Sequence, residues 1–124
     1  MECPCGLGRY DAHCGRLHAG VPAADAEGLM RSRYSAYALG LADYLLATWH
    51  PSTRPASLDF NEDPPLRWLG LDVKRHVADG DTAVVEFVAR YRQGGGRAGR
   101  LHETSRFVRE RQLWLYVDGH VTDR

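Results

Sequence analysis

No cysteine occurs after position 14 of this 124-residue chain, and there are only three in all, at positions 3, 5 and 14. An odd number crowded into one short segment fits poorly with a disulfide framework. A Cys3–Cys5 bridge would be badly strained, given the usual separation of bridged Cα atoms. Net charge is also lacking: sixteen basic residues balance sixteen acidic ones. That balance is no footprint for wrapping DNA or RNA, although it leaves room for a small basic patch. Long apolar runs are missing too. ALGLADYLLATW is interrupted and far below the ~20 residues of a membrane span. The N-terminus reads MECPCG, not a basic stretch followed by an apolar one, so no secretory signal is visible and a cytoplasmic location is expected. QGGGRAG at 93–99 follows a strand pattern but has no Lys-Ser/Thr, so it is not a phosphate-binding P-loop. No nucleophilic triad or catalytic metal cluster is legible.

What remains is a chain long enough for one compact domain plus a small appendage. Forty-four percent of it is hydrophobic. An ordinary core is available, though a modest one that a metal-bound knot would help.

The knot has an obvious place. Cys3 and Cys5 can present two thiolates from a tight turn, and Gly6 and Gly8 permit such a turn. The chain returns with His13 and Cys14, completing an S₃N set suited to tetrahedral zinc. With all four ligands from protein the site is closed, hence structural and not catalytic. His18 is the alternative fourth ligand, ranked lower because the pair His13–Cys14 mirrors Cys3/Cys5. The spacing C-x-C-x₇-H-C is also compatible with redox-active or incidental thiols. CPCGLGRYDAHC resembles the SEC-C motif at the C-terminus of the SecA translocation ATPase. Cys3, Pro4, Cys5, Gly6 and Gly8 match it. Arg9 stands for its lysine, Tyr10 for its aromatic residue and Leu7 for its serine. His13–Cys14 replaces the closing cysteine pair, with one residue fewer before Tyr10.

A helical stretch follows. Met30, Tyr34, Tyr37, Leu41, Leu45 and Trp49 recur every three or four residues, an amphipathic stripe. Gly40 divides it into helices expected over 23–39 and 41–49, with Pro22 in the first helical turn and Pro51 as the stop. The aromatic residues of the stripe either pack on a sheet or, at Tyr34 or Tyr37, turn a hydroxyl into a cavity. Arg33 borders the apolar face, where it pairs with a buried carboxylate or meets a ligand. His50 caps a helix end or takes part in chemistry. Residues 51–66 form a loop with one short helical turn around Ala56–Phe60, Leu58 and Phe60 tucked down.

From Trp68 the period changes to two. Leu69, Leu71 and Val73 alternate with Asp72 and Lys74. Asp79–Gly80 makes a turn. In the next strand Ala83, Val85, Phe87, Ala89 and Tyr91 share one face, and Val84, Glu86, Val88 and Arg90 the other. LHETSRFVRE and QLWLYVDG complete a four-stranded antiparallel meander, with Asp118–Gly119 read as a turn. Helices on one face of a curved sheet make an α+β half-cone. Glu86 lies exposed on the second face, or buried against Arg106 or Arg33.

The stretches LMRSRYSAY at 29–37, DYLLATWHPS at 43–52, WLGL at 68–71, VEFVARY at 85–91 and HETSRF with W-x-Y-x-D-G at 102–119 together resemble the YchJ-like family of bacterial proteins, long uncharacterised. The resemblance implies a SEC-C-like zinc knuckle at 1–20 and a nuclear transport factor 2-like cone at 21–124, with a central pocket. Many relatives add a second SEC-C segment at the C-terminus. This chain ends at DGHVTDR, so a single knuckle is expected.

Such cones host enzymes and non-catalytic binders alike, so the site must decide. An enzyme would need a convergent acid and base. The candidates are His76, Glu86, His102 and Asp118, with Tyr34, Trp68 or Arg106 as orienting groups. An interaction module needs only an ordered surface, which Arg9, Tyr10 and Arg16 of the knuckle would supply. The SecA motif contacts the chaperone SecB and the ribosome, so the resemblance implies a chaperone- or ribosome-associated protein partner. The sequence favours this zinc-stabilised adaptor over an enzyme. A small-molecule-binding cone, with zinc as a staple only, is the third possibility. A homodimer is compatible with all three. An enclosed pocket with Glu86, Arg106 and a histidine would favour catalysis or ligand binding. A cavity filled by Tyr34, Tyr37, Trp68 and Phe87 would favour a scaffold.

Overall fold

In the computed structural model, residues 1–61 and 64–122 are described. A 3₁₀ turn at Tyr10–Ala12 leads into the short helix α1 (Cys14–His18). Helices α2 (Ala26–Leu39) and α3 (Ala42–Ala47) follow. Strands β1 (Leu66–Asp79), β2 (Thr82–Gln93), β3 (Ala98–Glu110) and β4 (Leu113–Thr122) form one antiparallel meander in sequence order. The α+β half-cone expected from sequence is therefore the fold.

Helix α2 starts at Ala26 because the Asp25 carboxylate accepts the Gly28 N–H at 2.7 Å, an N-cap. Pro22 lies outside the helix, contrary to its expected place in the first turn. At the other end Gly40 adopts φ 74°, and the Leu41 N–H reaches back to the Ala36 carbonyl at 2.9 Å. Helix α3 is shorter than expected. Its closing carbonyls are taken by side chains: Thr48 Oγ1 donates to the Tyr44 carbonyl, and Arg33 Nη1 to that of Leu45, both at 2.8 Å. The backbone then turns extended and bridges to β4. Tyr116 N–H donates to Thr48 O at 2.9 Å, and His50 N–H to Tyr116 O at 2.7 Å. His50 thus extends the sheet instead of capping a helix, and its ring meets Glu110 at 2.9 Å. The helical turn expected around Ala56–Phe60 is not formed, although Leu58 and Phe60 are half-buried as expected.

In β2, Ala83, Val85, Phe87 and Ala89 are buried on the helix-covered face. β1 departs from simple alternation. Register shifts at Trp68/Gly70 and Val73/Arg75 leave Leu69 and Lys74 out of the ladder. Trp68, Leu71, Val73 and His76 therefore pair with core-facing residues of β2, while Leu69, expected in the core, is exposed. Asp118–Gly119 is not a turn either: both lie within β4, opposite Arg106 and Ser105.

One hydrophobic cluster joins Cys3, Cys5 and Cys14 to Ala26, Leu29, Met30 and Tyr34 of α2, and to Val85, Phe87, Phe107 and Trp114 of the sheet. The expected division at 20/21 falls in a chain turn, and this cluster runs across it.

Candidate metal centre and cone cavity

The sequence-predicted ligands converge. One ligand atom from each of Cys3, Cys5, His13 and Cys14 lies within 4.8 Å of the others. His13 Nδ1 is 3.6 Å from Cys3 Sγ and 3.3 Å from both Cys5 Sγ and Cys14 Sγ. A tetrahedral ion with bonds of about 2.3 Å to sulfur and about 2.0 Å to nitrogen would set those edges at about 3.5 Å. The donor set and its spacing fit such an ion. Cys3 N–H donates to the Gly8 carbonyl at 2.9 Å, closing the first loop, with Gly6 and Gly8 both at positive φ. All three cysteines are buried.

His18 is not part of this set. Its Nδ1 accepts the Tyr10 hydroxyl at 2.6 Å, and its Nε2 donates to the Ser32 carbonyl at 2.8 Å. Both nitrogens are occupied, and the ring stacks edge-on against Tyr44. His18 ties the knuckle to α2 instead. Tyr10, expected to be part of a docking surface, is half-buried with its hydroxyl committed to His18. Arg9 and Arg16 are both exposed.

The Cys5 and Cys14 thiols act on each other. The Cys14 hydrogen bond holds Cys5 down to about 5, against burial, while the same bond and burial push Cys14 up.

Sequence reasoning missed two supporting residues. Ser35 Oγ lies 3.6 Å from Cys3 Sγ. At Gly15 a Cβ would meet the Tyr10 carbonyl at 2.7 Å. Their signal was helical spacing alone, which carries no information about a neighbour in the knuckle.

A second feature lies between α2 and the sheet. A cavity of about 200 Å³ is walled by Tyr34, Tyr37, Trp68, Phe87, Phe107 and Tyr116, among others, and reached by Arg33 and Glu103. Arg33 is only 5% exposed. Its Nη1 donates to the Leu45 carbonyl at 2.8 Å and to Thr48 Oγ1 at 2.7 Å. The guanidinium lies over the Tyr116 and Trp49 rings, 4.4 and 5.0 Å from their centroids. It makes no direct ion pair among the described residues, although the Glu103 carboxylate lies near enough for its charge to act on it. Glu103 accepts from Ser105 Oγ at 2.7 Å. Burial, with the Glu103 charge second, pushes the Tyr116 phenol up to about 12. Burial likewise raises Tyr34 and Tyr37 and lowers Arg33.

The weak catalytic candidates do not meet in this cavity. Glu86 is on the outer face, where its Oε2 is 2.7 Å from His102 Nε2 and its Oε1 3.6 Å from Arg75 Nε. It pairs with neither Arg106 nor Arg33. Arg106 instead clasps Asp118 through two bonds of 2.6 and 2.5 Å, which lowers the carboxyl of Asp118. His76 faces the helices near the start of α2, its Nδ1 3.8 Å from Glu27. Its Nε2 is buried without a partner among the described residues. Of the orienting groups, Tyr34 and Trp68 do line the cavity. No acid–base pair is assembled from His76, Glu86, His102 and Asp118 inside it. The cavity is also not filled by its aromatic walls, so neither arrangement anticipated from sequence is realised.

No helix among the described residues is long and apolar enough to cross a membrane.

Residues 25–119 match a family model described as YchJ, middle NTF2-like domain. A UPF0225 protein of Polaromonas naphthalenivorans is 57% identical over 136 aligned positions, covering 96% of this chain and 98% of the relative. One from Ralstonia nicotianae is 59% identical, covering 97% and 91%. Two solved structures share the fold. The solution structure of a SEC-C motif containing protein from Rhodopseudomonas palustris superposes with a TM-score of 0.86 at 39% identity, covering 99% of this chain and all of the other. The crystal structure of a SEC-C motif containing protein from Psychrobacter arcticus gives 0.79 at 29% identity, covering 98% and 83%.

Proposed function

This chain belongs to the YchJ-like family, and from that premise we propose that it is a small-molecule-binding cone stapled by structural zinc. The observation that carries this reading is the cavity of about 200 Å³, which holds the buried Arg33 and an aromatic wall while the knuckle's cysteines are sunk in the cone's own core. Cys3, Cys5, Cys14 and His13 Nδ1 would hold the zinc. A closed S₃N site supplies folding energy and no open coordination position. The knuckle then staples the cone's core, and the cone is the working part.

Two measurements test this. Metal analysis of purified protein should give one zinc per chain, lost in Cys14→Ser. Small aromatic fragments should perturb the Trp68 indole NMR signal saturably, and a cavity-filling Leu101→Trp should abolish that response. Zinc-loaded protein whose Trp68 ignores every fragment would end the ligand-binding reading.

One observation favours a second role. The knuckle leaves Leu7, 47% exposed, beside the exposed Arg9. That surface would dock a protein partner, and the SEC-C resemblance points to a chaperone or the ribosome. Co-sedimentation with ribosomes that is abolished by Leu7→Ser/Arg9→Glu, and untouched by Leu101→Trp, would put docking first.

A further inference from the structure

We propose that the cone cavity takes a small hydroxy- or amino-substituted organic carboxylate, its carboxylate bound by Arg33 and its donor group by Glu103. This deepens the ligand-binding reading and rests on it.

Arginine stays charged in proteins. Buried charges are normally paired with an opposite charge, because removing them from water is expensive. The groups in direct contact with Arg33 are neutral: the Leu45 carbonyl, Thr48 Oγ1, the faces of Tyr116 and Trp49, and the Tyr37 hydroxyl beside it, while the Glu103 charge acts on it from farther off. The stacked rings fix the plane of the guanidinium, and a planar fork held in place suits bidentate capture of a carboxylate.

Glu103 reaches the same cavity from β3. Ser105 satisfies one of its oxygens, and it too has no ion pair among the described residues. A purely structural core would join these two charges directly. Here both reach one cavity, and the Glu103 charge is felt at Arg33, but no direct ion pair joins them. A ligand with an anionic end and a hydrogen-bond donor completes both.

Size and charge narrow the class. About 200 Å³ equals the liquid volume of roughly six or seven waters, enough for one ring or a short branched chain. One arginine and one glutamate sum to zero, which favours a carboxylate with a donor over a phosphate dianion. The aromatic walls Tyr34, Trp68 and Phe87 favour a flat or apolar body.

The test uses zinc-loaded full-length protein with matched probes: 3- and 4-hydroxybenzoate, benzoate, phenylalanine and the corresponding amides. Binding is read by titration calorimetry and by the Trp68 indole signal. The acids should bind saturably and at least tenfold more tightly than the amides. Arg33→Lys should weaken the acids at least tenfold. Glu103→Gln should erase the preference for hydroxybenzoates over benzoate. If Arg33→Lys does not fold, the acid–amide comparison on wild type and Glu103→Gln decide. Amides that bind as tightly as acids would overturn the carboxylate assignment and leave the ligand-binding cone standing. If no probe binds and Trp68 is unmoved, both fail.

Discussion

Metal removal should unfold the cone, not merely loosen its first twenty residues. Cys5 and Cys14 are each 1% exposed and share one hydrophobic cluster with Met30, Tyr34, Val85 and Phe107. His18 adds bonds from the knuckle to α2. Structural zinc contributes roughly 10–16 kcal/mol of apparent binding energy in small peptides. A whole domain is stable by only about 5–15 kcal/mol. If even ~3 kcal/mol of the metal's contribution is felt by the cone, Tm falls by about 10 °C for a chain of this size. Tryptophan fluorescence isolates the cone, because Trp49, Trp68 and Trp114 all lie outside the knuckle. Thermal unfolding would be followed by that signal for metal-loaded wild type, chelated wild type and Cys14→Ser. A fluorescence-detected Tm lower by about 10 °C or more in both metal-free forms is expected. A Tm that stays within about 2 °C after confirmed metal loss would refute the shared core and make the knuckle an independent appendage.

Further outcomes follow from single side chains. His18→Phe should keep one metal per chain by mass spectrometry, yet lose about 1–3 kcal/mol in urea, because the Tyr10 hydroxyl and Ser32 carbonyl lose their partner. Loss of the metal instead would return His18 to the ligand set. Gly15→Ala should destabilise by about 1–3 kcal/mol in urea melts, since its Cβ would strike the Tyr10 carbonyl. An unchanged midpoint would contradict that clash. Alkaline pH should destabilise the cone. The Tyr116 phenol is raised to about 12 in the fold, so between about pH 10 and pH 12 the unfolded chain releases a proton that the native state keeps. Its stabilising contribution is thus fully present below about pH 10 and is lost as pH rises through about 12. Tyr116→Phe should flatten that decline in urea midpoints taken at about pH 9 and about pH 11, and an equal slope in both proteins would show that Tyr116 contributes nothing to it.

The Cys/His cluster is legible in the sequence because its members are near one another and chemically distinctive. The four strands and the helical stripe are legible from their periods. What escapes are events that periodicity does not encode. Two register shifts in β1 move Leu69 outward and carry His76 to the helix face, while Glu86 and His102 stay on the other. Asp118–Gly119 has the composition of a turn. Inside β4, however, Gly119 is where a side chain would collide with the Glu103 carboxylate, so the glycine makes room in a strand. Arg33 is recognisable as a border residue of the stripe. Its neutral, aromatic surroundings depend on Thr48, Trp49 and Tyr116 meeting at the bridge between the end of α3 and β4, a contact no local pattern announces.

The most direct test of the cone as the working part is to ask what it carries. Protein purified under native conditions would be denatured, and the released small molecules compared by mass spectrometry among wild type, Leu101→Trp and the knuckle variant Leu7→Ser/Arg9→Glu. A small organic acid retained by wild type and the knuckle variant, and missing from Leu101→Trp, is the predicted result. The same molecules released from all three, or none enriched from any, would contradict it.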